Sequence, residues 1–122
     1  MNISAIEKEK LDLLLELGKN SHPREFAALL SATSGVISEV HMIPGSIGGP
    51  TSAQIPFDMV PINLGIVGSA HSHPNGAICP SEADIHFFAV SGSCHIIVGY
   101  PYGSDDWRCF LPDGTRYHLG VV

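Results

Sequence analysis

Two histidines one residue apart, His71 and His73, carry the clearest chemistry in the sequence. They close an apolar run, Gly65-Ile66-Val67-Gly68-Ser69-Ala70, that reads as a strand. Side chains on a strand alternate faces, so both imidazoles project to one side, and two neutral imidazoles on one face make half of a zinc site. Pro74 cannot donate to a sheet ladder and stops the strand. After a short loop carrying Gly76, the stretch Pro80-Ser81-Glu82-Ala83-Asp84 opens a helix, with Asp84 in its first turn as a third, oxygen ligand. Three protein ligands with a fourth position open is the arrangement of hydrolytic rather than structural zinc. Each feature also has a plain reading. Ser81-x-x-Asp84 is a helix-capping pattern, and a single histidine on an apolar strand is ordinarily a hydrogen-bonded core residue. Convergence of all of them on one end of one strand favours the metal site.

The remaining elements have to present that strand end. Ser4-Ala5-Ile6-Glu7 reads as a capping box opening a first helix, whose Ile6, Leu11, Leu13, Leu14, Leu15 and Leu17 form a broad apolar surface for a sheet. Gly18 and Asn20 are stop signals, and Pro23 forbids continuation. Glu25-Phe26-Ala27-Ala28-Leu29-Leu30-Ser31 reads as a buried strand, turned by Gly35 into Val36-Ile37-Ser38-Glu39-Val40-His41-Met42-Ile43. Glu25, at the edge of so apolar a run, is either an exposed strand-start residue or a placed general base; residue type alone favours exposure. Residues 44–56 are a loop by composition, with 52–55 as a short edge strand able to pair with an extended peptide, and 57–64 are broken by prolines. Beyond the histidines, Ile85, Phe87, Phe88 and Val90 give the second helix its buried side. Cys94 to Tyr100 form a buried strand, and two strands flank the turn Pro112-Asp113-Gly114 as a terminal hairpin. The order predicts an α/β domain with a curved mixed sheet between two helices.

At 122 residues and 44% hydrophobic content the chain is expected to form one domain, 1–122, with a real core. A net charge of −6 disfavours nucleic acid and anionic membrane surfaces as partners. The sequence holds neither an apolar signal core nor a transmembrane span, so a cytoplasmic setting is expected. Cys79, Cys94 and Cys109 form no CxxC pair. Cys94 and Cys109 read as buried thiols; Cys79, inside the metal loop, reads as a small apolar filler, a spare ligand, or half of a disulfide with Cys94. His22, His41, His86, His95 and His118 match no motif position, and structural or surface roles suit them better.

Taken together, His71-Ser72-His73-Pro74, seven residues between His73 and Ser81, and two between Ser81 and Asp84 resemble the signature of the JAMM (MPN-plus) zinc isopeptidases. The resemblance runs over essentially the whole chain and implies the JAMM/MPN architecture in its minimal prokaryotic, archaeal-type form. It implies one zinc per chain held by His71, His73 and Asp84, and it turns the balance for Glu25 from exposure to the placed base. The family places a glutamate at the start of its first strand, usually in the context Glu-x-x-Gly-Leu-Leu-x-Gly; here Ala28 and Ala32 replace the two glycines. Glu39 is a poorer fallback. The resemblance further implies that Glu25 handles the proton, that Ser81 donates to the oxyanion, and that the substrates are conjugates of ubiquitin-like modifiers or sulfur-carrier proteins, cut after a C-terminal glycine. A chain this short leaves little room for linkage-reading loops, so broad linkage tolerance is expected. The competing reading is a catalytically silent MPN scaffold or ubiquitin-like-protein binding module, which the presence of all three ligands disfavours. Barrel amidohydrolases need about 250 residues. Zinc deaminases need His-x-Glu and Pro-Cys-x-x-Cys, which Cys79-Pro80-Ser81 does not supply.

Overall fold

Alternation along one strand sets the layering. In β2 (Ala27–Thr33) the side chains of Ala28 and Leu30 join one buried cluster, while Ala27 and Leu29 join a second on the opposite face. The first cluster takes Leu11, Leu14 and Leu15 from α1 (Lys8–Ser21), and the second takes Phe87 and Phe88 from α2 (Glu82–Phe88). The sheet therefore lies between two helices, as expected. Each of those leucines contributes roughly 1.5–3 kcal/mol by leaving water. The computed structural model describes residues 2–42, 65–89 and 91–122.

The other strands are β1 (Ala5–Ile6), β3 (Val36–Met42), β4 (Ile66–His73), β5 (Cys94–Gly99), β6 (Trp107–Phe110), β7 (Arg116–Tyr117) and β8 (Gly120–Val121). They form one curled, mixed eight-stranded sheet in the order β7-β6-β5-β4-β2-β3-β1-β8. Antiparallel β2 and parallel β5 flank β4, the strand that carries the histidines. Gly68 makes the β4–β5 approach possible, because a Cβ there would fall 1.6 Å from the Cys94 carbonyl oxygen. The terminal hairpin is present as β6 and β7 around 111–115. No helix among the described residues is long and apolar enough to cross a membrane.

Several expectations need correction. Ser4-Ala5-Ile6-Glu7 is not a capping box: Ala5 and Ile6 are a strand, Glu7 is the N-cap, and no side chain caps α1. Fully buried Ile6 pairs in parallel with Ile37 on one side and Val121 on the other, and that two-sided ladder outweighs the local helix signal. Strand β8, which completes the ladder, was not expected from the local pattern. Gly18 does not stop α1, which runs to Ser21; it is there because a Cβ would come 2.6 Å from the Tyr102 ring. Leu13 and Ile85 are exposed rather than core-facing. Glu25 precedes β2 instead of starting it. Cys79 is exposed and free, whereas buried Cys94 faces Cys109, so the Cys79–Cys94 disulfide is not formed. The loop at 44–56, its edge strand at 52–55, the segment 57–64 and Val90 lie outside the described residues.

Candidate metal centre

The site is built where β4 ends. Ala27 is the register partner of His71, so continuing the antiparallel pairing sets Phe26 opposite Ser72 and Glu25 opposite His73. Alternation then puts Glu25, His71 and His73 on the α2 face and Ser72 on the other. The turn after His73 is held by the Gly76 N–H donating to the His73 carbonyl at 3.1 Å and by the Asn75 Oδ1 accepting from the Ala77 N–H at 3.0 Å. That turn delivers the Ala77 carbonyl to His73 Nδ1, 2.6 Å away. A carbonyl can only accept, so Nδ1 carries the proton and the Nε2 of the neutral ring offers its lone pair to the site.

Asp84 is held from its own helix. Ser81 caps α2 by accepting from the Asp84 N–H at 3.1 Å, and its own N–H donates to Asp84 Oδ2 at 2.8 Å. The capping pattern is therefore real, and it also orients a ligand. Asp84 Oδ1 lies 3.1 Å from His71 Nε2, and Oδ2 lies 3.1 Å from His73 Nε2. Ligand atoms of all three residues fall within 4.8 Å of one another.

This donor set fits a metal ion. His71 is 1% exposed, and neither ring nitrogen makes a well-aligned hydrogen bond among the described residues. Its Nε2 faces Asp84 Oδ1 at 3.1 Å. A buried imidazole in that state is poorly compensated unless a cation or a proton sits between the acceptors. Two imidazoles and one carboxylate form a hydrolytic-type zinc set, and a hydrogen-bonded second ring nitrogen is the usual support for a ligating histidine.

The electrostatics agree. Burial opposes ionisation of Asp84, yet the His71 and His73 imidazoles outweigh it and hold the carboxyl far below the usual carboxylate range. Burial likewise works against a charged His73, but its bonds to Asp84 and Ala77 carry its pKa above the ordinary value. Half-buried Glu25 is pushed up by desolvation, only partly offset by the charges of His73 and His71. Glu25 thus feels the charges of the site without belonging to the His71, His73 and Asp84 cluster. Ser81 is exposed at its mouth. Its oxygen accepts the helix cap, which leaves the hydroxyl proton available as a donor.

Comparison with known proteins identifies the family. Residues 7–110 match the family described as prokaryotic homologues of the JAB domain. The chain belongs to that family. A probable metalloprotease of Haloferax volcanii is 39% identical over 130 aligned positions, covering 98% of this chain and 80% of its own length. A JAB1/MPN-domain protein of Archaeoglobus fulgidus superposes with a TM-score of 0.79 at 36% identity, covering 97% of this chain and 98% of that one. A structure reported as JAMM, a metalloprotease-like zinc site in the proteasome and signalosome, gives 0.77 at 33% identity over 99% of both chains. The chain is a minimal prokaryotic JAMM/MPN protein.

Sequence reasoning overlooked Ser72, treating it as the spacer of the motif. It is fully buried, its Oγ accepts from the Phe26 N–H at 3.0 Å, and its own N–H donates to the Phe26 carbonyl at 3.2 Å. The residue between the two ligands therefore ties down the neighbour of Glu25. Strand alternation held the signal, since a polar residue turned into a core needs a partner there.

Proposed function

We propose that the protein is a zinc-dependent isopeptidase or peptidase that cleaves after the C-terminal glycine of ubiquitin-like modifier or sulfur-carrier proteins, with residues 1–122 acting as one catalytic domain. The observation that carries the reading is the buried His71 imidazole, lacking an aligned hydrogen bond among the described residues and set 3.1 Å from a carboxylate oxygen. His71, His73 and Asp84 would hold the zinc. When bound, zinc supplies Lewis acidity that brings the pKa of its water toward about 7. Glu25 accepts the proton released as water attacks the scissile carbonyl and returns it to the departing amine. Ser81 donates its hydroxyl proton to the developing oxyanion, a contact whose loss costs on the order of a hundredfold in turnover. The Haloferax relative's description as a probable metalloprotease supports the reaction class. The choice of ubiquitin-like substrates rests on family resemblance.

The test pairs metal analysis with cleavage. Purified protein is expected to carry one zinc per chain, lost in His71→Ala and Asp84→Ala, and to release a ubiquitin-like protein from an isopeptide conjugate. Glu25→Gln should keep the zinc and lose the cleavage. Zinc without cleavage of any ubiquitin-like conjugate would overturn the substrate assignment. No zinc after reconstitution would leave a non-catalytic binding module as the reading. Comparable rates across differently linked conjugates are expected; a strong preference for one linkage would contradict the minimal, linkage-tolerant form.

A further inference from the structure

The second chemistry in this fold lies on the opposite face of the sheet. Cys94 opens β5 and Cys109 lies in β6; they are 2% and 3% exposed, and their sulfurs are 3.0 Å apart. Ile96 is the register partner of Cys109, so Cys94, two residues earlier, is its diagonal neighbour on the same face. Both belong to the α1-side cluster, away from the α2-side cluster below the histidines. Closing the gap to the roughly 2.05 Å of a disulfide needs about 1 Å of movement, within reach of two side-chain rotations.

Each cysteine borders a surface depression, that beside Cys94 being about 160 Å3. Cys109 lines a depression of about 350 Å3 together with Asp105, Arg108, Arg116 and His118. The depression is walled by β7, a two-residue edge strand, and short edge strands open at low free energy. Cys94 is held as a thiol above its ordinary range by the Cys109 sulfur and by burial, so it is suited to arrive second.

We propose that Cys94 and Cys109 are an oxidisable pair that closes into an intramolecular disulfide, fastening β5 to the C-terminal hairpin. With a small-molecule disulfide as oxidant, the Cys109 thiolate attacks one of its sulfurs and expels the first small thiol. Cys94 then attacks the Cys109 sulfur, and the second small thiol leaves. Two electrons pass to the oxidant, and the two protons of the cysteines end on the two small thiols. The bond forms at the start of β5, whereas His73 pairs with Gly99 at its far end. Oxidation should therefore leave zinc binding unchanged.

The experiment treats reduced full-length protein with oxidised glutathione. Mass should fall by about 2 Da, the loss of two hydrogens. Thiols titrated in denaturant should drop from three to one, the survivor being Cys79. A non-reducing peptide map should join Cys94 to Cys109, and the melting temperature should rise by roughly 5–10 °C. Cys79→Ser should behave as wild type, and Cys109→Ser should lose the mass change and the shift. Three persistent thiols, a stable glutathione adduct without an internal bond, or a bridge through Cys79 would each overturn the proposal. The wild-type map decides even if a cysteine variant fails to fold.

Discussion

His71 and His95 are the same residue in almost the same place, with opposite fates. Both are fully buried, on neighbouring strands β4 and β5, with the Phe88 ring between them at 6.1 Å from the first and stacked at 4.1 Å on the second. His95 is complete. Its Nδ1 lies 2.8 Å from Ser69 Oγ and its Nε2 lies 3.0 Å from the Gly92 carbonyl, so Nε2 donates and Nδ1 accepts the serine proton. His71 has no aligned partner among the described residues. A buried donor or acceptor left unsatisfied costs about 1–3 kcal/mol. Burial marks both residues; only the missing partner marks the one that something outside the chain must complete.

The comparison breaks most visibly at the carboxylate. Asp84→Ala should abolish zinc binding and, on the proposed function, reduce kcat/KM by about a thousandfold or more, equivalent to several kcal/mol of lost transition-state stabilisation. Metal analysis and cleavage assays check it. The paired histidines provide the sharper contrast. His71→Leu should lose zinc; in chelator it removes a ring with no aligned hydrogen bond but also takes from Asp84 one of its two imidazoles, so it should cost less than His95→Leu, about 1–2 kcal/mol. His95→Leu should keep zinc and lose about 3 kcal/mol, since it strands Ser69 and disturbs the stack on Phe88. Equal destabilisation of the two in urea would refute the distinction.

Acid probes the same contrast without a change of volume. Burial, opposed by the bond to Gly92, pulls the His95 imidazole from its ordinary 6.5 down to about 4. Between those values the unfolded chain binds a proton that the native chain refuses. The associated stability is present above pH 6.5 and lost as pH falls through that window to about 4, amounting to roughly 3 kcal/mol. Urea midpoints of zinc-free wild type and His95→Gln should therefore converge as pH drops from 7 to 4. His73 contributes with the opposite sign: its raised pKa adds stability below the unfolded value that is lost as pH rises through the folded one. Both proteins share that contribution, so their difference isolates His95.

The sequence made the ligands legible because strand alternation, a proline stop and a helix cap are local rules that agree at one place. It made the buried strands and the hairpin legible for the same reason. It could not separate His71 from His95, since Ser69 and Gly92 complete His95 through pairing across strands and a loop turn. It failed at Ala5 and Ile6, where strand β8, far away along the chain, outcompetes a local capping pattern. The choice of a placed base over an exposed residue at Glu25 rests on resemblance alone; its side of the sheet follows from register with β4, which periodicity within one strand does not contain.

Ser72 tests whether the intermediate residue of the motif belongs with His71 or with His95. Like His95 it is buried and satisfied, but what it satisfies is the N–H of the residue next to the proposed base. Ser72→Ala would strand that N–H and should cost about 1–2 kcal/mol. If the bond only stabilises the sheet, kcat should not change. If it positions Glu25 beside His71 and His73, kcat should fall by about tenfold, near 1.4 kcal/mol, with zinc content and KM unchanged. We expect the second outcome, with Ser72→Thr restoring turnover because its hydroxyl can accept the same N–H. A loss of stability without loss of kcat would place Ser72 with His95, and Glu25 would then owe its position to the Pro23 side of the chain.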